Sequence, residues 1–270
     1  MSRFFYICFM DKSTQPIGLF DSGIGGTSIW KEIHHLLPDE DTIYLADSKN
    51  APYGQRPKEE ILALSQKNTD YLLQQGCKII VVACNTATTN AIKELRSNNP
   101  DVPFIGIEPA IKPAAIHTKT KAIGILATQG TLSSELFNKT VSGFKNVKVI
   151  EQVGHNLVNL IEGGKLESDE MHSLLELYLR PMIEADIDYL VLGCSHYPYL
   201  IPQIRKILPH NVTIIDSGEA VARQTKKVLE ENNLLNTSLH KSGIEFYTNA
   251  DPEVLNNILG KEQTVTKQDF

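Results

Sequence analysis

Ile79-Ile80-Val81-Val82-Ala83-Cys84-Asn85 is the stretch that decides the fold, and Tyr189-Leu190-Val191-Leu192-Gly193-Cys194-Ser195 repeats it 110 residues later. Each is an apolar run of strand length that lacks the alternation of a strand facing water on one side. Such runs read as strands of a parallel sheet covered on both faces. A second pair supports the repeat. Ile17-Gly18-Leu19-Phe20-Asp21-Ser22 resembles Ile123-Gly124-Ile125-Leu126-Ala127-Thr128, at an offset of 106 residues. Each half therefore carries one strand, an interval, and a second strand ending in cysteine, which predicts two similar α/β lobes. Ligands of open α/β sheets sit beyond the carboxyl ends of the strands. Cys84 and Cys194 are thus expected to face one cleft from opposite sides.

Working outward, strands are expected at residues 16–21, 42–46, 78–83, 103–107, 122–127, 147–153, 189–193 and 213–215, with a ninth at 244–247. Helical patterns fill the intervals, among them 27–37, 57–75, 87–98, 168–185 and 218–233. This alternation predicts an α/β fold of two mostly parallel sheets flanked by helices, with the active site between them. Pro57 and Pro252 suit the first turn of a helix, where no backbone donor is needed.

Composition narrows the classes. The chain has 270 residues, 41% hydrophobic and 21% charged, which is ordinary globular make-up. Its 26 basic and 32 acidic residues leave a net charge of −6, which argues against binding along a nucleic-acid backbone. No apolar run approaches the ~18–20 residues of a membrane span. Residues 1–10 are too short a stretch for a signal peptide, so 1–15 reads as an N-terminal extension, with Met10 an alternative start. Cys8, Cys77, Cys84 and Cys194 are too few for a disulfide scaffold and suit reduced thiols in the cytoplasm.

The chemistry concentrates at strand ends. Asp21-Ser22-Gly23-Ile24-Gly25-Gly26 lies between a strand and a helix. A dinucleotide fingerprint would need glycine at position 28, where Ser28 stands, although Asp47 mimics the ribose-binding acid. Asp21 would also repel a pyrophosphate. A ligand with both a carboxylate and an ammonium fits better: loop N–H groups for one, Asp21 for the other. The plain alternative is a tight turn with a helix-capping aspartate. Cys84-Asn85-Thr86 opens a helix, a setting that lowers a thiol pKa. Asn85 and Thr86 would cap that helix or hold a small polar ligand. An inert strand-end thiol is the competing reading. Cys194-Ser195-His196-Tyr197-Pro198 repeats the arrangement with a histidine, and the pairing favours function. Cys8 and Cys77 lack such a setting, and His34 and His35 point to different helix faces. Tyr53 and Gly54, Glu108 and Pro109, and Gly130 and Thr131 share the same edge with weaker signals.

These residues resemble the cofactor-independent glutamate racemases. The matching segments are Gly18-Leu19-Phe20-Asp21-Ser22-Gly23-Ile24-Gly25-Gly26, Pro52-Tyr53-Gly54, Ala83-Cys84-Asn85-Thr86-Ala87, Gly106-Ile107-Glu108-Pro109-Ala110 and Gly193-Cys194-Ser195-His196-Tyr197-Pro198. They occur in family order and spacing across residues 16–250. Two departures stand out: Ser195 replaces the usual threonine, and 152–159 differs from the common form. Leu160-Ile161-Glu162 still looks like the family's acidic segment, but Glu162 is left without an assigned role. The resemblance implies interconversion of L- and D-glutamate, supplying D-glutamate for peptidoglycan, with no cofactor and no metal. It implies Cys84 and Cys194 as the two proton carriers, with Asp21 and His196 as their partners. It further implies that Asp21, Ser22, Tyr53, Gly54, Asn85, Thr86, Ser195 and His196 hold substrate. The first lobe would take 16–109 with 218–270 and the second 110–217. Such proteins often form homodimers and need neither nucleic acid nor membrane.

Other classes predict different observations. An aspartate or broader amino-acid racemase would share the two cysteines. A thiol hydrolase using Cys194 and His196, with Asp21 as orienter, leaves Cys84 without a role. A zinc site from Cys84, Cys194, His196 and Asp21 predicts stoichiometric metal. A non-enzymatic amino-acid-binding or gyrase-regulating protein predicts no exchange at Cα.

Overall fold

A computed structural model describes residues 12–238, 242–260 and 263–270. The expected extension lies outside the described residues as far as residue 11, as do Cys8 and the alternative start at Met10. In chain order the elements are β1 (Ile17–Asp21), α1 (Thr27–Leu36), β2 (Thr42–Ala46), α2 (Lys58–Gln74), β3 (Ile79–Val82), α3 (Asn85–Asn98) and β4 (Phe104–Gly106). Then come α4 (Ile111–His117), β5 (Ala122–Ala127), α5 (Gln129–Leu132), α6 (Glu135–Ser142), β6 (Lys148–Val153), α7 (Leu157–Glu162), α8 (Asp169–Glu184) and β7 (Tyr189–Gly193). The chain continues with α9 (Ile201–Ile207), β8 (Thr213–Ile215), α10 (Gly218–Glu231), β9 (Ile244–Thr248), α11 (Pro252–Leu259) and β10 (Val265–Lys267).

The strands form two all-parallel sheets, ordered β10-β9-β2-β1-β3-β4 and β6-β5-β7-β8. The second order repeats the central β2-β1-β3-β4 of the first. The register repeats as well: Ile17 pairs with Ile79, and Ile123 pairs with Tyr189. The two offsets seen in the sequence thus connect residues at equivalent ladder positions.

Burial follows the sequence pattern. Every residue of β1, β3 and β5 is buried, as continuous apolar runs require, whereas the edge strand β6 is half-exposed. Helices cover the sheets with apolar stripes. α8 buries Met171, Leu175, Tyr178, Leu179 and Met182, spaced along one face, and Ser168 caps its N-terminus by accepting from the Met171 N–H. Burying a leucine or methionine in this way contributes about 1.5–3 kcal/mol.

β10 was not among the expected strands. Val265-Thr266-Lys267 is short and mostly exposed, so it has no apolar run, and it is held by pairing with β9 at the sheet edge. Pro57 caps α2 rather than entering it, while Pro252 occupies the first position of α11.

The chain crosses between sheets after β4 and again after β8. The Ser217 hydroxyl donates to the Glu108 carbonyl, tying the two crossings together. α10 then packs on α1 beside the six-stranded sheet. Among the described residues no helix is long and apolar enough to cross a membrane.

Candidate active site

β1 and β3 are neighbours, so their carboxyl ends bring Asp21 and Cys84 together at one edge. β7 in the other sheet ends at Gly193 and delivers Cys194, Ser195 and His196. A small cavity lies between them, lined by Ser22, Pro52, Tyr53, Gly54, Cys84, Asn85, Thr86, Thr128, Val158, Cys194, Ser195 and His196. Both expected cysteines therefore line one space, each from its own sheet. Asp21 is fully buried beside it.

The Cys84 end is built from α3. Cys84 itself caps that helix, its Sγ accepting from the Ala87 N–H at 3.4 Å, and its thiol donates to Ser22 Oγ at 3.7 Å. This corrects the expectation that Asn85 or Thr86 serves as the cap. Asn85 is instead the first helical residue. Its carboxamide is buried with neither its oxygen nor its nitrogen hydrogen-bonded. A buried amide without partners costs free energy, so this group is held ready for one. The Cys84 thiol is pushed well up, first by burial and then by the Asp21 carboxylate, against the Ala87 and Ser22 hydrogen bonds. Asp21 is itself raised by burial, opposed by His196, the Gly26 N–H and the Cys84 thiol.

The Cys194 end carries an imidazole in place of the carboxyl group. His196 Nδ1 lies 3.8 Å from Cys194 Sγ, and Nε2 lies 2.5 Å from Glu162 Oε1. Burial pulls the His196 pKa down, but hydrogen bonds to Cys194 and Glu162 and the charge of Asp21 outweigh it and hold the imidazole well above its usual range. Glu162, unassigned in the sequence, is thus the residue that grips His196. It also accepts from the Ile24 N–H at 2.7 Å. Its partners lie 34 and 138 residues away in the chain, so no local motif announces the contact.

The glycine loop differs from expectation in use. Its N–H groups at Ile24 and Gly26 are taken up by Glu162 and by Asp21, the latter at 2.8 Å, rather than left for a ligand. The glycines serve close approach. A Cβ at Gly23 would lie 1.9 Å from Glu162 Oε1, and one at Gly25 would lie 2.2 Å from His196 Nδ1. The helix-capping reading of Asp21 also holds in part, since its Oδ2 accepts at the start of α1.

Ser195 joins the ends. Its hydroxyl donates to Asp21 Oδ1 at 3.1 Å, and its carbonyl accepts from the Ser28 hydroxyl at 2.9 Å. Thr86 meets Thr128 of the other sheet, hydroxyl to hydroxyl at 2.9 Å. Thr128 and Val158 were not singled out in the sequence; the strand match of Ser22 with Thr128 was the available signal for the former. The Tyr53 hydroxyl points away to Asp47 at 2.5 Å and to Asn68 at 3.1 Å, so Tyr53 lines the cavity with its remaining atoms. Asp47 is further held by Asn50 and Asn249, which makes it a support for this turn rather than a ribose ligand. Glu108 lies at the crossing between sheets, and Gly130 packs against Thr86 and Gly54. Cys77 lies in the core under Gly18, its thiol pushed up to about 12 by burial. Among the described residues no group of three or more His, Cys, Asp and Glu is placed to hold a metal ion.

Two thiols face one small cavity, one beside a carboxyl group and one beside an imidazole. The chain is similar over most of its length to known racemases. A glutamate racemase of Herpetosiphon aurantiacus is 46% identical over 239 residues, covering 88% of this chain and 94% of its own. The crystal structure of a glutamate racemase isoform from Bacillus anthracis superposes with a TM-score of 0.84 at 31% identity, covering 95% of this chain and 98% of that one. The Escherichia coli glutamate racemase, solved with L-glutamate and the activator UDP-MurNAc-ala, gives a TM-score of 0.82 at 33% identity over 94% and 98% of the two chains. Residues 17–225 match the Asp/Glu/Hydantoin racemase family model, and with that span and these relatives the chain belongs to the Asp/Glu/hydantoin racemase family.

Proposed function

We propose that this amino-acid racemase interconverts L- and D-glutamate by two-cysteine proton transfer at Cα, and so supplies D-glutamate for peptidoglycan. The observation that carries the reading is the placement of Cys84 and Cys194 on one cavity, at the ends of the equivalent strands β3 and β7. Inversion requires a proton to leave one face of Cα and another to arrive on the opposite face. Two opposed groups do this without turning the substrate over. The lobes divide at 109/110 and 217/218, so each supplies one cysteine.

In the L-to-D direction the Cys194 thiolate takes the Cα proton, and the Cys84 thiol delivers its proton to the other face. The raised Cys84 and raised His196 describe the matching rest state, with a thiol at Cys84 and an imidazolium beside Cys194. In the D-to-L direction Cys84 must act as the base, and Asp21 receives its proton. Burial of Asp21 favours this, because it makes the neutral carboxyl easier to form. The free Asn85 carboxamide and the hydroxyls of Ser22, Thr86 and Ser195 are the polar groups that hold substrate, while the buried site excludes competing water. The two thiols supply both base and acid, so the reading calls for no cofactor or metal.

The test is solvent-deuterium exchange at Cα. Purified protein incubated in D2O with either enantiomer should give the opposite enantiomer deuterated at Cα, and EDTA should leave the rate unchanged. Exchange with only one enantiomer, or activity lost to chelation and restored by zinc, would overturn the mechanism. Comparable kcat/KM for aspartate would move the assignment to a broader racemase.

A further inference from the structure

Each turnover in this mechanism leaves the protein changed. After L-to-D conversion Cys194 holds the proton taken from Cα and Cys84 has lost one. The next L-to-D turnover needs the reverse, so one proton must travel from one cysteine to the other after product leaves.

Side chains lie in sequence between the two sulfurs. His196 Nδ1 is 3.8 Å from Cys194 Sγ and 3.4 Å from Ser195 Oγ. Ser195 Oγ donates to Asp21 Oδ1 at 3.1 Å. Asp21 ends β1 and Cys84 follows the neighbouring β3, and the Asp21 carboxyl acts electrostatically on the Cys84 thiol. The direct gap from His196 Nδ1 to Asp21 Oδ2 is 3.8 Å, too long for a good hydrogen bond, so the serine hydroxyl is the shorter bridge. All five side chains are buried. Glu162 occupies His196 Nε2, which leaves Nδ1 to face the path.

We propose that Cys194, His196, Ser195, Asp21 and Cys84 form an internal proton relay that resets the two cysteines between turnovers, with Ser195 Oγ as its bridging atom. The inference rests on the two-cysteine reading and adds a step to it. The His196 Nδ1–H bond breaks as its proton passes to Ser195 Oγ. The Ser195 hydroxyl gives up its own proton to Asp21 Oδ1, Asp21 gives one to the Cys84 thiolate, and His196 recovers one from the Cys194 thiol. One proton moves in total, no group is oxidised, and every atom returns to its starting state except the two sulfurs. A hydroxyl suits the bridge because it accepts and donates at once. The raised pKa of Asp21 supports the path by making its protonated form accessible.

The test compares wild type, Ser195→Ala and Ser195→Thr. Racemisation rate is followed to glutamate concentrations far above saturation, at several concentrations of imidazole buffer. Wild type should hold a flat, buffer-independent plateau. Without the hydroxyl the reset should slow about 10²-fold, the low end for a positioned proton-transfer group. The Ser195→Ala rate should then fall as glutamate rises past saturation, because substrate captures the unreset form, and imidazole should restore it. Ser195→Thr keeps the hydroxyl and, whatever its KM, should keep a flat, buffer-independent plateau. A flat, buffer-independent plateau for Ser195→Ala, or a Ser195→Thr that behaves like Ser195→Ala, overturns the relay. Tracer counter-transport in wild type needs no variant: strong counter-transport rising with glutamate would mean a slow reset and would also overturn it. Cα exchange by wild type is measured first, so failure of the two-cysteine reading is seen separately from failure of the relay.

Discussion

The two ends of the cleft share a fold and differ in charge. At each, a buried parallel strand ends in cysteine, in matching register within its sheet. At the Cys84 end the neighbour is Asp21, and the thiol is pushed up. At the Cys194 end the neighbour is His196, whose pKa burial lowers but the Cys194 and Glu162 hydrogen bonds and the Asp21 charge raise well above its usual range. Duplicated backbone therefore supplies the geometry, and the two ends differ in the side chain set beside the sulfur.

The largest expected effect tests whether the ends are equivalent in need. Cys84→Ala and Cys194→Ala should each lower racemisation by at least about 10²–10⁴-fold, since each removes one face's proton carrier. The serine variants separate the ends. On glutamate analogues with a leaving group, elimination requires only proton removal. Cys84→Ser should keep elimination from the L-analogue and Cys194→Ser from the D-analogue. If both variants favour the same enantiomer, the two-base assignment is wrong.

Much of this comparison is legible in the sequence. The apolar runs locate β1, β3, β5 and β7, and the offset repeats correctly pair β1 with β5 and β3 with β7. Strand-end cysteines follow from the same runs. What the sequence does not carry is the allocation of hydrogen bonds. The glycine-loop N–H groups look available from local spacing, yet Glu162 and Asp21 claim two of them after folding. The unpartnered state of Asn85 and the commitment of the Tyr53 hydroxyl to Asp47 are likewise products of tertiary packing. β10 escaped because an edge strand needs only one partner and little apolar surface.

The next effect sharpens the difference in charge. Asp21→Asn and His196→Asn should each slow turnover by about 10²-fold, through opposite ends. The readout is the primary isotope effect with substrate deuterated at Cα. Asp21→Asn should raise it for D-glutamate and His196→Asn for L-glutamate. Equal changes for both enantiomers would erase the distinction between the ends.

Glu162→Gln probes the Cys194 end alone. Losing a charged hydrogen bond of about 1.5 kcal/mol corresponds to about a tenfold drop in kcat. The pH profile should move too. His196 has a folded pKa raised above its ordinary 6.5, so the stabilisation it brings is complete below that value and is lost as pH rises through the folded pKa. Removing the Glu162 charge lowers that folded pKa. The alkaline limb of the rate profile should therefore shift to lower pH, and an unmoved limb would detach His196 from Glu162.

The smallest effect concerns support rather than chemistry. Ser28→Ala removes the hydrogen bond to the Ser195 carbonyl and should cost about 1 kcal/mol, read as a lower denaturant midpoint. Elimination from the L-analogue, which uses the Cys194 end, should fall more than elimination from the D-analogue. Equal losses would place the contact in general stability instead.

The register-matched halves have one more consequence, which concerns mirror symmetry. L- and D-glutamate are reflections of each other, and a chain of L-residues has no reflection to offer. Copying a half-domain reproduces a strand and its terminal thiol, but it cannot produce their mirror image. The walls that receive the two enantiomers are therefore never exact counterparts. In this chain the copies part company at the groups beside the sulfurs: Asp21 stands where the second half has Ala127, and His196 where the first half has Thr86.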